Sequence, residues 1–244
     1  MNHRFENELI QTENLRLNCS VSGREHAPWI TLAHSLATDK KMWGPLAWHL
    51  IHNFSIKSTN NECMFILIKT FGYILPCPTC KKHYNYLISD IYELKKKNKN
   101  IMIKYLYEIH NIINQNLNKN HNLTYNEVLD KQKKTNNEKI IFFFVISYSN
   151  LNYIDMSFTE FDKIYNFFYC FIKNYPDKKI RNIFEKILNN NSLDICQTPL
   201  SFKKWFINDF KEIKEIKENY NSYKIKILEK INKKINNKNF RKNK

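Results

Sequence analysis

The sequence predicts an all-α protein, and three observations carry that prediction. Only 3 glycines and 6 prolines stand in 244 residues, too few for the tight turns that many short strands need. Apolar residues recur at helical spacing through most of the chain. Hydrophobic residues reach 43% and aromatics 14%, far from the aromatic-poor composition of disordered chains and enough for a packed core. The shortage of glycine also removes every Gly-rich phosphate loop, since no two glycines lie near each other.

Residues 1–40 form an N-terminal extension without strong periodicity, apart from a short helix expected over 28–37, where Pro28 suits a first helical position. A first bundle helix opens near Trp43, with Leu46, Leu50 and Phe54 on one side and Trp48 and His52 on another. A second spans 63–75 and is ended by Pro76, because the residue before a proline is biased away from the α region. A third is expected over 77–94. A fourth covers 101–118, with Ile103, Leu106, His110, Ile113 and Leu117 as its inward stripe. A shorter fifth helix, over 124–134, closes a four-helix bundle domain at 41–134. The polar run 131–139 then separates a second helical domain at 135–244, rich in Phe and Tyr, with Thr159 as a candidate N-cap, later helix starts near Pro176 and Pro199, and a Lys/Asn tail.

The net charge of +16 could signal a polyanion partner. Its lysines, however, are mixed with asparagine in runs such as 95–100 and 232–244, which read as solvated surface and argue against nucleic acid. Residues 1–10 are polar, so no secretory signal is expected. The longest apolar run, 140–146, is far short of the roughly 20 residues a bilayer requires. A protein in a reducing compartment follows as the expectation, and there a closely spaced cysteine pair calls for a chemical explanation.

That pair is Cys77-Pro78-Thr79-Cys80, followed by His83. Two thiols at the start of a helix can close a small disulfide ring, and the positive end of the helix dipole lowers the pKa of one of them. Cys80, His83 and Leu87 share a face by spacing, which predicts an inward Cys80 and His83 and an exposed Cys77. A thioredoxin motif would need a strand before it, which the helical segment 63–75 does not supply. The alternative is a Cys2His2 zinc module using Cys77, Cys80, His83 and His110. Against it, Cys77 and His83 are separated by roughly 9 Å along a continuous helix.

The ordered series Trp43-Gly44-Pro45, Trp48-x-x-x-His52, Cys77-Pro78-Thr79-Cys80-x-x-His83 and His110-Asn111-x-x-Asn114 with Lys119 resembles the Erv/ALR-type FAD-linked sulfhydryl oxidases over residues 41 to about 130. The Trp-Gly-Pro opening and the Leu-Pro-Cys before the dithiol are most similar to members from large cytoplasmic DNA viruses. The resemblance implies a helical bundle that holds FAD and passes electrons from a substrate dithiol through Cys77 and Cys80 to FAD and then to oxygen, giving hydrogen peroxide. By the same resemblance Cys80 is the thiol beside the flavin and Cys77 the one that exchanges with substrate, while Gly44, Trp48, His52, His83, Tyr105, His110, Asn111, Asn114, Lys119 and Tyr125 are the cofactor-binding residues. Trp48 with His52, and His110 with Asn114, offer a stacking surface and polar groups suited to adenine and ribose, and Lys119 a cation for the pyrophosphate. This sequence departs from the family at Pro45, where an arginine is usual, and at Tyr105, where a tryptophan is. A second C-x-x-C or C-x-C is missing, and Cys19, Cys63, Cys170 and Cys196 are isolated in sequence. The expected partner is therefore a separate thioredoxin-like dithiol protein; the resemblance further implies a homodimer and a location in the cytoplasm, a viral factory or a virion.

Overall fold

Polar caps start most of the helices and divide the chain into its elements. In the computed structural model, which describes residues 39–89, 98–119, 124–151, 155–189, 198–210 and 213–242, ten α-helices and no strand are found among the described residues. They are α1 Lys40–Lys57, α2 Asn61–Thr70, α3 Pro78–Leu87, α4 Lys99–Asn116, α5 Tyr125–Lys131, α6 Asn137–Ser149, α7 Phe158–Lys173, α8 Lys178–Asn189, α9 Pro199–Trp205 and α10 Lys214–Lys242. The all-α expectation holds.

Asp39, Asn60, Asn98, Thr124, Asn136, Ser157 and Thr198 each accept a hydrogen bond from a backbone N–H in the first turn that follows, which satisfies donors that the helix itself cannot. Several boundaries differ from those expected. The cap of α7 is Ser157 rather than Thr159, because Glu160 reaches back to complete a capping box. The aspartate cap moves the start of α1 to Lys40. The segment 63–75 tightens from α2 into a 3₁₀ turn, Phe71–Ile74, before Pro76. Helix α3 ends at Leu87 instead of near 94, and α5 at Lys131 instead of near 134. The short helix expected over 28–37 lies outside the described residues.

Gly72 lets the 3₁₀ turn press against α3. A Cβ there would collide with the Asn85 side chain and stand 2.9 Å from Tyr84 Cδ1, so the Cys77–Cys80 segment is held by close packing from behind. Tyr84 is buried, and its hydroxyl donates to the Ile68 carbonyl at 2.9 Å.

Helix α6 is the centre of the molecule. Every residue from Ile140 to Tyr148 is buried, the signature of a helix covered on all sides, and α1 and α10 both pack against it. Helix α7 packs on α2. Trp43 and Phe71 both meet Phe143, at centroid distances of 6.4 and 6.3 Å, and Phe54 stacks on Phe171 at 5.0 Å. The buried residues on the two sides of residue 135 thus belong to one hydrophobic cluster.

Candidate functional site

Two arrays of side chains meet on α1. The first is the dithiol. Cys77 is the N-cap of α3, its sulfur accepting the Cys80 N–H at 3.3 Å, and the two Sγ atoms lie 2.6 Å apart. Their environments differ. Burial acts to raise the pKa of Cys77, but hydrogen bonds from the Cys80 thiol and backbone N–H, together with the Lys40 ammonium, bring it below the ordinary thiol value. Burial and the hydrogen bond with Cys77 push Cys80 up to about 12. Lys40, at the first turn of α1, is held charged by both sulfurs. In the reduced pair Cys77 is therefore the more acidic thiol and Cys80 the less acidic one.

The orientation expected from spacing is corrected at three residues. Cys77 is buried and Cys80 only half-buried, because the chain enters α3 through the packed Leu75-Pro76 segment. His83 is exposed and meets only Asn116 at 3.5 Å; the inward position on α3 is taken by Tyr84, one residue further round.

The second array is a cavity of about 920 Å³, walled by α1, α4, Lys119, α5 and the segment 131–139. The Trp48 indole stacks on the His110 ring with centroids 3.9 Å apart and planes 10° from parallel. His52 joins them through its Nε2, 3.0 Å from His110 Nδ1. Burial brings the pKa of both histidines down to about 3, reinforced for His52 by His110 and His49 and for His110 by Lys119 and Lys131, so both rings are neutral at pH 7. Asn114 is buried and accepts from Lys119 Nζ at 3.0 Å. His49 is likewise neutral, lowered to about 4 by burial and by Lys139 and Lys57.

Among the expected cofactor residues, Trp48, His52, His110, Asn114 and Lys119 line the cavity. Gly44 lies between the two arrays on α1, and a Cβ built on it would meet no heavy atom within 4 Å. Tyr105, Asn111 and Tyr125 stand outside the wall. The Tyr105 hydroxyl donates to the Leu87 carbonyl at 3.1 Å, fastening α4 to α3, and Tyr125 packs edge-on against Tyr107. On α4 the inward stripe extends only to Asn114, since Ile113 is half-buried and Leu117 is exposed.

Sequence reasoning missed Lys40, His49, Gln132 and the cavity lysines Lys131, Lys134 and Lys139. The run 131–139, read as a separator, is instead a wall, tied to α1 by Asn53 Nδ2 donating to Gln132 at 3.4 Å and by Lys57 Nζ donating to Thr135 Oγ1 at 2.6 Å. Its lysines were indistinguishable from the Lys/Asn background. The zinc alternative is not assembled, because His110 is committed to Trp48 and His52. Among the described residues no group of three or more His, Cys, Asp or Glu could hold a metal ion, and no helix is long and apolar enough to cross a membrane.

The residues present fit a dinucleotide that is aromatic at one end and anionic in the middle. The imidazole and indole planes offer stacking, His52 Nδ1 and His49 Nε2 are buried polar atoms of the wall with no hydrogen-bond partner, and four lysines supply cations. Residues 45–137 match the sequence model of the Erv1 / Alr family. That match covers both the dithiol and nearly the whole cavity wall, and the family is known for FAD-linked thiol oxidation. Comparison with curated proteins and with solved structures gives no match.

Proposed function

We propose that the chain is an FAD-linked sulfhydryl oxidase that makes disulfide bonds in protein dithiols. The observation that supports this most directly is the layout of α1. Lys40 stands against the dithiol, while Trp48 and His52, roughly 12 and 18 Å further along the helix axis, line the Lys-rich cavity.

Trp48, His52, His110, Asn114 and Lys119 would hold the adenylate and phosphates of FAD, and Gly44 would leave room for the chain of atoms between them and the dithiol. His83, Tyr105, Asn111 and Tyr125 act by positioning the walls. When bound, FAD would take the electron pair from the reduced dithiol and deliver it to oxygen as hydrogen peroxide.

The protein's own part is thiol–disulfide exchange. A substrate thiolate attacks Cys77 in the Cys77–Cys80 disulfide, and Cys80 leaves and takes up a proton, as its raised pKa favours. The second substrate thiolate then attacks the mixed disulfide and Cys77 leaves. Its lowered pKa makes it the better leaving group, which drives release of oxidised substrate. Two electrons and two protons pass from substrate to the pair. The substrate we favour is a separate thioredoxin-like dithiol protein, acting in the cytoplasm of an infected cell.

Purified protein should be yellow, with flavin absorbance, and should consume oxygen in the presence of dithiothreitol. A colourless preparation that gains no flavin on incubation with FAD would sink the reading.

A further inference from the structure

A second pair of cysteines, far apart in sequence, meets in the fold. Cys63 is the third residue of α2, its backbone N–H donating to the Asn60 cap at 3.0 Å. Cys170 lies on the inner face of α7 and is 2% exposed. Helix α2 packs on α7, and the two thiols lie close enough to perturb each other's titration, with the Asn174 side chain beside Cys63. Asn174 in turn donates to the Cys170 carbonyl at 3.1 Å and accepts from Ser58 Oγ at 3.4 Å. The polar cluster therefore pins the α1–α2 link to the end of α7.

The two thiols are unequal in the way that disulfide exchange uses. Cys63 is half-exposed at the positive end of α2, where the Cys170 hydrogen bond outweighs burial and lowers its pKa to about 6. Cys170 is raised, by its hydrogen bond with Cys63 and by burial. An attacking thiolate thus faces solvent, with a resolving thiol directly behind it.

The other dithiol is set apart from Cys63 along the chain. Between Cys63 and the end of α2 lie seven residues, roughly 10 Å of helix axis, and the 3₁₀ turn Phe71–Ile74 follows before Cys77.

We propose that Cys63 and Cys170 form an inter-helix disulfide that fastens α2 to α7, closed by exchange with a low-molecular-weight disulfide of the glutathione class. Cys63 thiolate attacks one sulfur of the oxidised disulfide, giving a mixed disulfide and one thiol. Cys170, after losing its proton to solvent, attacks the Cys63 sulfur and releases the second thiol. Two protein thiols are oxidised, one external disulfide is reduced to two thiols, and no oxygen or flavin takes part. The inference is independent of the oxidase reading.

The test uses the full chain, reduced, freed of reductant and incubated without oxygen with glutathione disulfide, then capped with N-ethylmaleimide and mapped by peptide mass spectrometry. The expected product is a peptide pair linked through Cys63 and Cys170, with a Tm higher by about 5 °C or more than that of the reduced protein. The double variant Cys77→Ser/Cys80→Ser should give the same linked pair and the same shift, while Cys63→Ser and Cys170→Ser should each lose both. The proposal is overturned if both thiols of the wild-type chain are capped by N-ethylmaleimide after oxidation. It is equally overturned if Cys63 stops at a stable glutathione adduct or if it links to a cysteine other than Cys170. The wild-type map decides even where a single variant fails to fold.

Discussion

Cys77 and Cys80 sit three residues apart at one helix start, whereas Cys63 and Cys170 come from α2 and α7, on either side of the boundary expected near residue 135. Yet both pairs are polarised alike. Each has one thiol with a lowered pKa at a helix N-terminus and a hydrogen-bonded partner with a raised one. The C-x-x-C motif builds this asymmetry locally, and the second pair builds it through tertiary packing. What separates them is what lies nearby: a cation and a cavity along α1 for the first, a structural joint for the second. A shared electrostatic device is therefore expected to serve turnover in one place and fastening in the other.

The largest test of that contrast is Cys77→Ser, which should lower oxygen consumption with dithiothreitol by on the order of 10³-fold or more while leaving flavin absorbance intact. Cys63→Ser in the same assay should stay within about twofold of wild type, since its thiol touches none of the machinery. Comparable losses in the two variants would erase the distinction.

Trp48→Ala should weaken FAD retention by about tenfold, the order of one aromatic stack with the area it buries. Equilibrium dialysis of the flavin measures this, and the Cys63–Cys170 linkage should form as before. Lys40→Met is a smaller change with a defined direction. Lys40 helps to hold Cys77 below the ordinary thiol pKa, so its loss raises that pKa, and iodoacetamide should alkylate Cys77 of the reduced protein several-fold more slowly at neutral pH. Alkylation of Cys63 should not change, and a parallel slowing there would mean that Lys40 acts through general stability.

A pH scan probes the cavity histidines first, before the paired carboxylates Glu138, Glu160 and Asp177 titrate at lower pH. His52 and His110 have folded pKa values near 3, below the roughly 6.5 of an unfolded histidine. Between these values the unfolded chain binds more protons, so stability falls as pH drops from about 6.5 toward 3. The Tm should decline over that window, and His110→Asn should shallow the slope by removing one of the three cavity histidines whose pKa is lowered.

Much of the front half was legible in sequence because its signals are local. Leu46, Leu50 and Phe54 turn to the core while Trp48 and His52 turn to the cavity, as a period of 3.6 requires, and the dithiol is visible from spacing alone. His83 and Tyr84 show the limit. Neighbouring positions on a short helix differ by 100° of rotation, so a small error in where α3 faces exchanges the buried residue for the exposed one. The cavity lysines and the Cys63–Cys170 contact were illegible for another reason. Lys131, Lys134 and Lys139 look like any other surface lysine until the segment carrying them folds back on α1, and no local pattern links Cys63 to a cysteine on α7.

The covering of α6 bears on how the protein is made. A ribosome releases α1 to α5 before α6 exists, and releases α6 before α10 can lie along it. The apolar sides of α1 and α2, and then the face of α6 that α10 covers, must wait for later segments at roughly 5–20 residues per second. Folding is thus completed from the C-terminal end, and a nascent chain stalled before α10 is the form most exposed to chaperones and to aggregation.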